Sequence, residues 1–163
     1  MRHSVRRVRG EGCDGVSAPD RAEFFVPGPT PTKGSGRGMV HRHTGRVIVL
    51  PDNRKLGPWT KFASLIARAA RPRDWDLAGP FEVTVLVGVQ RPKDKRLART
   101  RPFPTVKPDA DKTARAILDL CTGIFWHDDA QVVDLGPARK RYCGEGVEFG
   151  ARIAIRRLTE NDL

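Results

Sequence analysis

Phe81, Val83, Val85, Val87 and Val89 alternate strictly with other residues, and this alternation constrains the fold more than any other feature. Successive strand side chains point to opposite faces, so these five share one apolar face. A strand of that kind needs neighbours to pair with and a layer to cover it. A second alternating stretch supplies a neighbour: Val147, Phe149, Ala151, Ile153 and Ile155 interleave with Glu148, Arg152 and Arg156. Shorter strands are read at residues 22–26 (AEFFV), closed by Pro27 and Gly28, and at 46–50 (RVIVL), closed by Pro51, Asp52 and Asn53. Another short strand is read at 131–135.

Two stretches have the helical period instead. Trp59, Phe62, Ala63, Ile66, Ala67 and Ala70 form one apolar stripe bounded by Pro58 and Pro72. Ala114, Ile117, Leu118 and Cys121 form another. Asp111 is placed to cap the second helix and Gly123 to stop it. Core packing accounts for both stripes. No internal repeat and no regular βαβ rhythm is visible, so the expected class is α+β: a small mixed sheet with two packed helices. The expected domain spans residues 22–158, between a polar, flexible tail of residues 1–21 and a short C-terminal tail of residues 159–163.

The chain of 163 residues has a formal net charge of +11 and a pI near 10.4. A balance this basic points to a polyanionic partner, because lysines and arginines displace counterions from phosphates. An anionic membrane is the weaker candidate, since no apolar run is long enough to span a bilayer and no basic helix has a wide apolar face. Cationic side chains gather in three places. The PGPTPTKGSGRG segment holds Lys33 and Arg37. Arg91, Lys93, Lys95, Arg96, Arg99, Arg101 and Lys107 follow with only Asp94 opposing them, and Arg139, Lys140 and Arg141 come later. Each place is open between a solvated loop and a contact with DNA backbone. Three cysteines, Cys13, Cys121 and Cys143, fit no metal spacing. They point to a reducing cytoplasm, and Cys121 reads as a small core residue. The N-terminus has arginines but no apolar segment of a secretory signal.

Asp109 and Asp111 stand at the mouth of the second helix, directly after the longest basic run, and Asp128 and Asp129 follow that helix. A helix with its stop turn returns the chain, so the expectation is that the two acidic pairs meet. Carboxylates brought together repel unless a cation neutralises them, and Mg²⁺ takes a few carboxylates with waters and phosphate. Asp–X–Asp and Asp–Asp are also ordinary cap and turn pairs, and spacing alone leaves both readings open. His127 is a weaker candidate ligand.

The string KPDADKTARAILDLCTGIFWHDDAQVVDL, residues 107–135, resembles the RusA family of Holliday junction resolvases. The shared pattern is Asp–X–Asp at a helix start, a basic residue a few positions on, then a hydrophobic–Asp–Asp–X–Gln–Val segment. The Pro-rich, basic segment near Lys33 is similar in kind to the family's N-terminal part. The resemblance implies a small α+β homodimer that binds four-way DNA junctions and hydrolyses two symmetric strands with Mg²⁺, for which Mn²⁺ would substitute. It implies metal ligands at Asp109, Asp111 and Asp129, with Asp128 adjacent in support. The family's catalytic lysine lies four residues after the second aspartate, where this chain has Arg115; Lys112 directly follows Asp111. The basic catalytic role is therefore open between Lys112 and Arg115. DNA contacts are expected from Lys33, Arg37, Arg96, Arg99, Arg101, Lys107, Arg139, Lys140 and Arg141. Two rival readings are a junction-binding or packaging protein without catalysis, and a nuclease with broader taste for flaps or branched DNA.

Overall fold

The computed structural model describes residues 20–34, 37–50 and 53–162. The expected flexible tail up to residue 19, with Cys13, lies outside the described residues, as do Pro51, Asp52 and the side chain of Arg37.

Four strands form the main sheet: β1 (Arg21–Pro27), β4 (Phe81–Val89), β5 (Val132–Tyr142) and β6 (Gly150–Arg157), in the order β1-β6-β4-β5. The β6 strand runs antiparallel to both β1 and β4, whereas β5 runs parallel to β4. The sheet is mixed and the class is α+β, as the sequence suggests. A separate hairpin joins β2 (Arg37–Val40) to β3 (Val47–Leu50), so the end of the Pro- and Gly-rich segment is a strand rather than loop throughout.

Alternation decides which side of the sheet is covered. Ala22, Phe24 and Val26 of β1, Phe81, Val83, Val85 and Val87 of β4, and Ala151, Ile153 and Ile155 of β6 are buried. The helices α1 (Leu56–Ala70) and α3 (Ala110–Cys121) pack on the sheet and on each other. Trp59, Ala63 and Ala67 are the buried line of α1, but Phe62 is 47% exposed, which corrects its place in the stripe. It stands about 100° round the helix from Ala63, at the edge of the line that Trp59, Ala63 and Ala67 form at spacings of four. Helix α1 also begins before Pro58, which sits in its first turn where its missing N–H leaves no bond unmade. A short third helix, α2 (Lys95–Thr100), interrupts the basic run. The Asp94 carboxylate caps it, accepting from the N–H groups of Arg96 at 2.8 Å and Leu97 at 3.4 Å. The strand read at 131–135 proves to be eleven residues long and contains all of Arg139, Lys140 and Arg141.

Aromatic residues close the core. Phe24 stacks on Phe125 at 5.6 Å between centroids, Trp75 on Phe81 at 5.9 Å, and Trp126 meets Phe81 at 5.7 Å. The Trp75 indole N–H donates to the Phe125 carbonyl at 2.8 Å, so the chain after α1 is latched to the chain after α3. Cys121 is fully buried and burial pushes its thiol pKa up, as its reading as a core residue requires.

The other face of the sheet is polar and internally neutralised. Arg152 meets Glu23 at 2.9 Å and Glu148 at 2.8 Å, and Arg156 meets Glu82 at 2.7 Å. Arg156 also pairs with Asp162, so the expected C-terminal tail is docked as far as its 3-10 turn, Glu160–Asp162.

Two outcomes follow from this packing. A Cβ added at Gly88 would stand 1.8 Å from the Glu148 carbonyl oxygen, so Gly88→Ala is expected to lower stability by about 1–3 kcal/mol, read from the urea midpoint. The Thr159 backbone N–H and the Arg156 guanidinium hold the Asp162 carboxyl at about 2, against about 4 in an unfolded chain. Docking of the last turn is then complete above pH 4 and lost as pH falls toward 2, which a chemical-shift titration of the Thr159 amide would follow.

Candidate active site

Parallel pairing of β4 and β5 demands a crossover, and every candidate catalytic residue lies on it. The chain leaves the sheet at Val89, forms α2, passes the proline-rich residues 101–108 and enters α3 at Asp109. Asp109, not Asp111, is the N-cap residue of α3, yet its carboxylate makes no capping bond. Its carbonyl accepts instead, from the Thr113 hydroxyl at 2.9 Å and the Thr113 N–H at 3.0 Å. The carboxylate is thus left to face a recess of about 220 Å³ lined by Thr32, Gly34, Asn53, Lys107, Asp109 and Lys112. The Lys112 ammonium stands 3.2 Å from the Asp109 carboxylate.

Asp111 lies exposed in the first turn of α3, where the helix dipole favours negative charge. Arg115 is exposed one turn later, and a separation of four residues puts it on the same outward face as Asp111. Loop and helix are tied together beside them. The Lys33 N–H donates to the Lys112 carbonyl at 3.1 Å, the Lys33 ammonium pairs with Asp119, and the Asn53 amide donates to the Thr32 carbonyl at 3.2 Å. Lys33 therefore holds the Pro-rich segment onto α3. Nothing local in the sequence marks Thr32 or Asn53 as part of a recess.

The two acidic pairs do not meet within one chain. Pro108 sits beside Lys140, which pairs with Val87 near the carboxyl end of β4, whereas Asp128 and Asp129 precede Val132, which pairs with Phe81 at its start. Six strand residues at about 3.3 Å each put the pairs about 20 Å apart. The cause is α3 itself, whose twelve residues carry the chain about 18 Å before it turns. Among the described residues no three metal-ligating side chains converge.

The Asp–Asp–X–Gln segment has a local structural task. Asp128 caps a 3-10 turn, Asp129–Gln131, by accepting from the Ala130 N–H at 2.8 Å. The Gln131 carbonyl oxygen accepts from the N–H groups of His127 at 2.9 Å and Asp128 at 3.0 Å. Its amide NH₂ donates to the carbonyls of Leu77 at 2.9 Å and Gly79 at 3.0 Å. One glutamine thus joins this turn to the chain leading into β4. His127 and Asp129 are exposed on it.

The expected DNA contacts separate. Arg96 and Arg99 are exposed on α2, Arg101 is half-buried at its end, and Lys107 lines the recess. Arg139 faces the outer side of the sheet near Glu23 and Arg152, and the Arg141 guanidinium lies 6.0 Å from the Phe103 ring centre. Lys140 is half-buried, and its ammonium donates to the carbonyls of Val106 and Pro108, each at 2.7 Å. Its donors are directed at the protein's own backbone.

The sequence model of the family described as Endodeoxyribonuclease RusA matches residues 29–155. No curated protein matches the chain significantly. Among the described residues no helix is long and apolar enough to cross a membrane.

Replacing Gln131 by alanine removes four hydrogen bonds. At about 0.5–1.5 kcal/mol net for each, Gln131→Ala is expected to cost about 2–6 kcal/mol in urea unfolding, with Asp129 left intact.

Proposed function

The chain belongs to the RusA endodeoxyribonuclease family, and from that premise we propose that it is a Mg²⁺-dependent nuclease that resolves four-way DNA junctions as a homodimer. The observation that carries this reading is the Asp109 carboxylate, which caps no N–H of its own helix, pairs with Lys112 and lines a recess flanked by Lys107 and Lys112. A recess with cations on its wall and a carboxylate in it suits a backbone phosphate held next to a divalent ion.

The donor set fits such an ion. Asp109 and Asp111 offer hard oxygen ligands two residues apart at one helix mouth, and Mg²⁺ is usually held by one or two carboxylates with waters and substrate phosphate completing its shell. Mn²⁺ would fit the same oxygens. When bound, the ion supplies Lewis-acid polarisation of a phosphoryl oxygen and a lowered pKa for water. Asp129 and Asp128, about 20 Å away by the strand spacing, do not join this set within one chain.

The protein's own groups do the rest. Lys112 balances the Asp109 charge until substrate arrives, and its flexible stem lets the ammonium turn to a phosphoryl oxygen. There it would stabilise charge that builds in the transition state. Its place on the recess wall favours it over Arg115 for the basic role. The Arg115 guanidinium instead acts as a charge near Asp111. Lys107 meets the backbone in the recess, and Arg96, Arg99 and Arg101 meet it farther along the crossover. Arg37, Arg139 and Arg141 remain candidates for outer contacts. Two-fold symmetry of a dimer would match the near two-fold symmetry of a four-way junction, and the reaction belongs to recombination and repair.

The test is cleavage of a synthetic four-way junction beside flap and duplex substrates, with Mg²⁺, with Mn²⁺ and with EDTA. Symmetric nicking of the junction is expected, EDTA abolishing it, and Asp111→Asn is expected to lower the rate by about 100-fold or more while binding persists. Equal cleavage by both proteins would remove Asp111 from the site. Salt-sensitive binding that ignores EDTA and yields no product strands would instead support a non-catalytic junction-binding protein, and comparable cutting of flaps a broader nuclease.

A further inference from the structure

Residues 101–109, the last stretch before α3, make few backbone hydrogen bonds of their own. The stretch contains Pro102, Pro104 and Pro108, which have no N–H to donate, and it forms no strand or helix. Its internal backbone bond runs from the Thr105 N–H to the Phe103 carbonyl at 2.9 Å. Phe103 and Val106 are exposed at 59% and 50%, and Pro104 is the one buried side chain of the stretch. Asp109 and Asp111 hang from the end of this stretch.

Lys140 reaches it from the sheet. Its backbone lies in β5, held in register with Val87 of β4, and β4 is the buried centre of the molecule. Its ammonium donates to the Val106 and Pro108 carbonyls, each at 2.7 Å. Hydrogen bonds from an ionised donor are short and strong, and an ammonium can aim its three donors at carbonyls on either side of a bend. The Pro108 carbonyl belongs to the peptide that begins Asp109, so this bond fixes the point at which α3 starts.

We infer that Lys140 is a positioning residue, which ties the mouth of α3 to the sheet and so sets where the Asp109 and Asp111 carboxylates stand. As far as it concerns catalysis, the inference rests on the nuclease reading above. Its physical content is separate: remove the ammonium, and the stretch before α3 loosens while the sheet stays intact. A lysine that simply contacted DNA would behave in the opposite way, losing junction affinity with no change in the protein alone.

The experiment compares the full-length wild type with Lys140→Met, which keeps the stem and removes the donors, and Lys140→Arg, which keeps charge and donors. Amide hydrogen exchange, without DNA or metal, is read over peptides covering residues 103–113. Junction binding in EDTA is measured across a salt series, and the single-turnover cleavage rate is measured with Mg²⁺ at saturating protein. Lys140→Met is expected to raise exchange about tenfold in that stretch alone and to slow cleavage by about 10–100-fold, the range seen when a supporting partner of a metal ligand is lost. Junction affinity and its salt slope should stay as in the wild type, and Lys140→Arg should recover part of both losses. Unchanged exchange would overturn the inference. So would a salt slope reduced by about one, the mark of a lost phosphate contact, with the rate of the bound complex preserved. If Lys140→Met does not fold, Lys140→Gln, which retains one amide donor group, is read by the same measurements and the same outcomes. A wild type that cuts no junction would end the nuclease reading, and the exchange measurement would still decide whether Lys140 holds the helix mouth.

Discussion

The parallel pairing of β4 with β5 sets the terms for everything around it. Antiparallel neighbours can be joined by a tight turn, but parallel ones require the chain to travel back along the sheet before it can pair. Residues 90–131 make that journey, and they contain α2, the basic run, both acidic pairs and α3. The candidate site is therefore built on the connection that the sheet makes unavoidable. It lies at the carboxyl ends of β4 and β5, beside Val87 and Lys140, where connections leave parallel strands and where α/β sheets commonly place ligands.

In a chain of charge +11, the outer face of the sheet and the crossover treat their cations differently. On the outer face of the sheet Arg152 and Arg156 are matched by Glu23, Glu148, Glu82 and Asp162. Exposed ion pairs of this kind contribute little stability, but they cancel the field of that face. Lys107 and Lys112 instead flank a carboxylate in a recess, and Arg96 and Arg99 stand exposed on the approach to it. The crossover thus sets exposed cations beside the candidate site, where they would help to draw in a polyanion.

Periodicity made much of this fold legible. The alternation at residues 81–89 and in β6, the aromatic strand β1 and the two apolar helical stripes each state which side is buried, and burial is what those elements are for. Composition hid the rest. Gly136 and Pro137 made β5 read as short, because neither favours a strand. The charges of α2 concealed a helix whose only clear local signal is its Asp94 cap. Asp109 and Asp111 at a helix mouth were legible as a pair. Their separation from Asp128 and Asp129 was not, because the direction of α3 against the sheet is a tertiary fact. Gln131 and Lys140 show the same limit. A lysine between two arginines reads as one more phosphate contact, and only the carbonyls of Val106 and Pro108 reveal its different partner.

Helix α3 is held at its start from β5 and, beyond its end, through the turn that leads into β5. Lys140 fixes the peptide at which it begins, and Gln131 fixes the turn beyond its end to the chain entering β4. Such a helix has a fixed number of residues. One inserted residue would lengthen it by about 1.5 Å and rotate everything beyond by about 100°. That rotation would swing Ile117 and Leu120 out of the core and turn charged neighbours into it, or else drag Asp109 and Asp111 away from the recess. Changes of length in proteins of this architecture should therefore collect between Gln90 and Lys107 and leave α3 itself untouched.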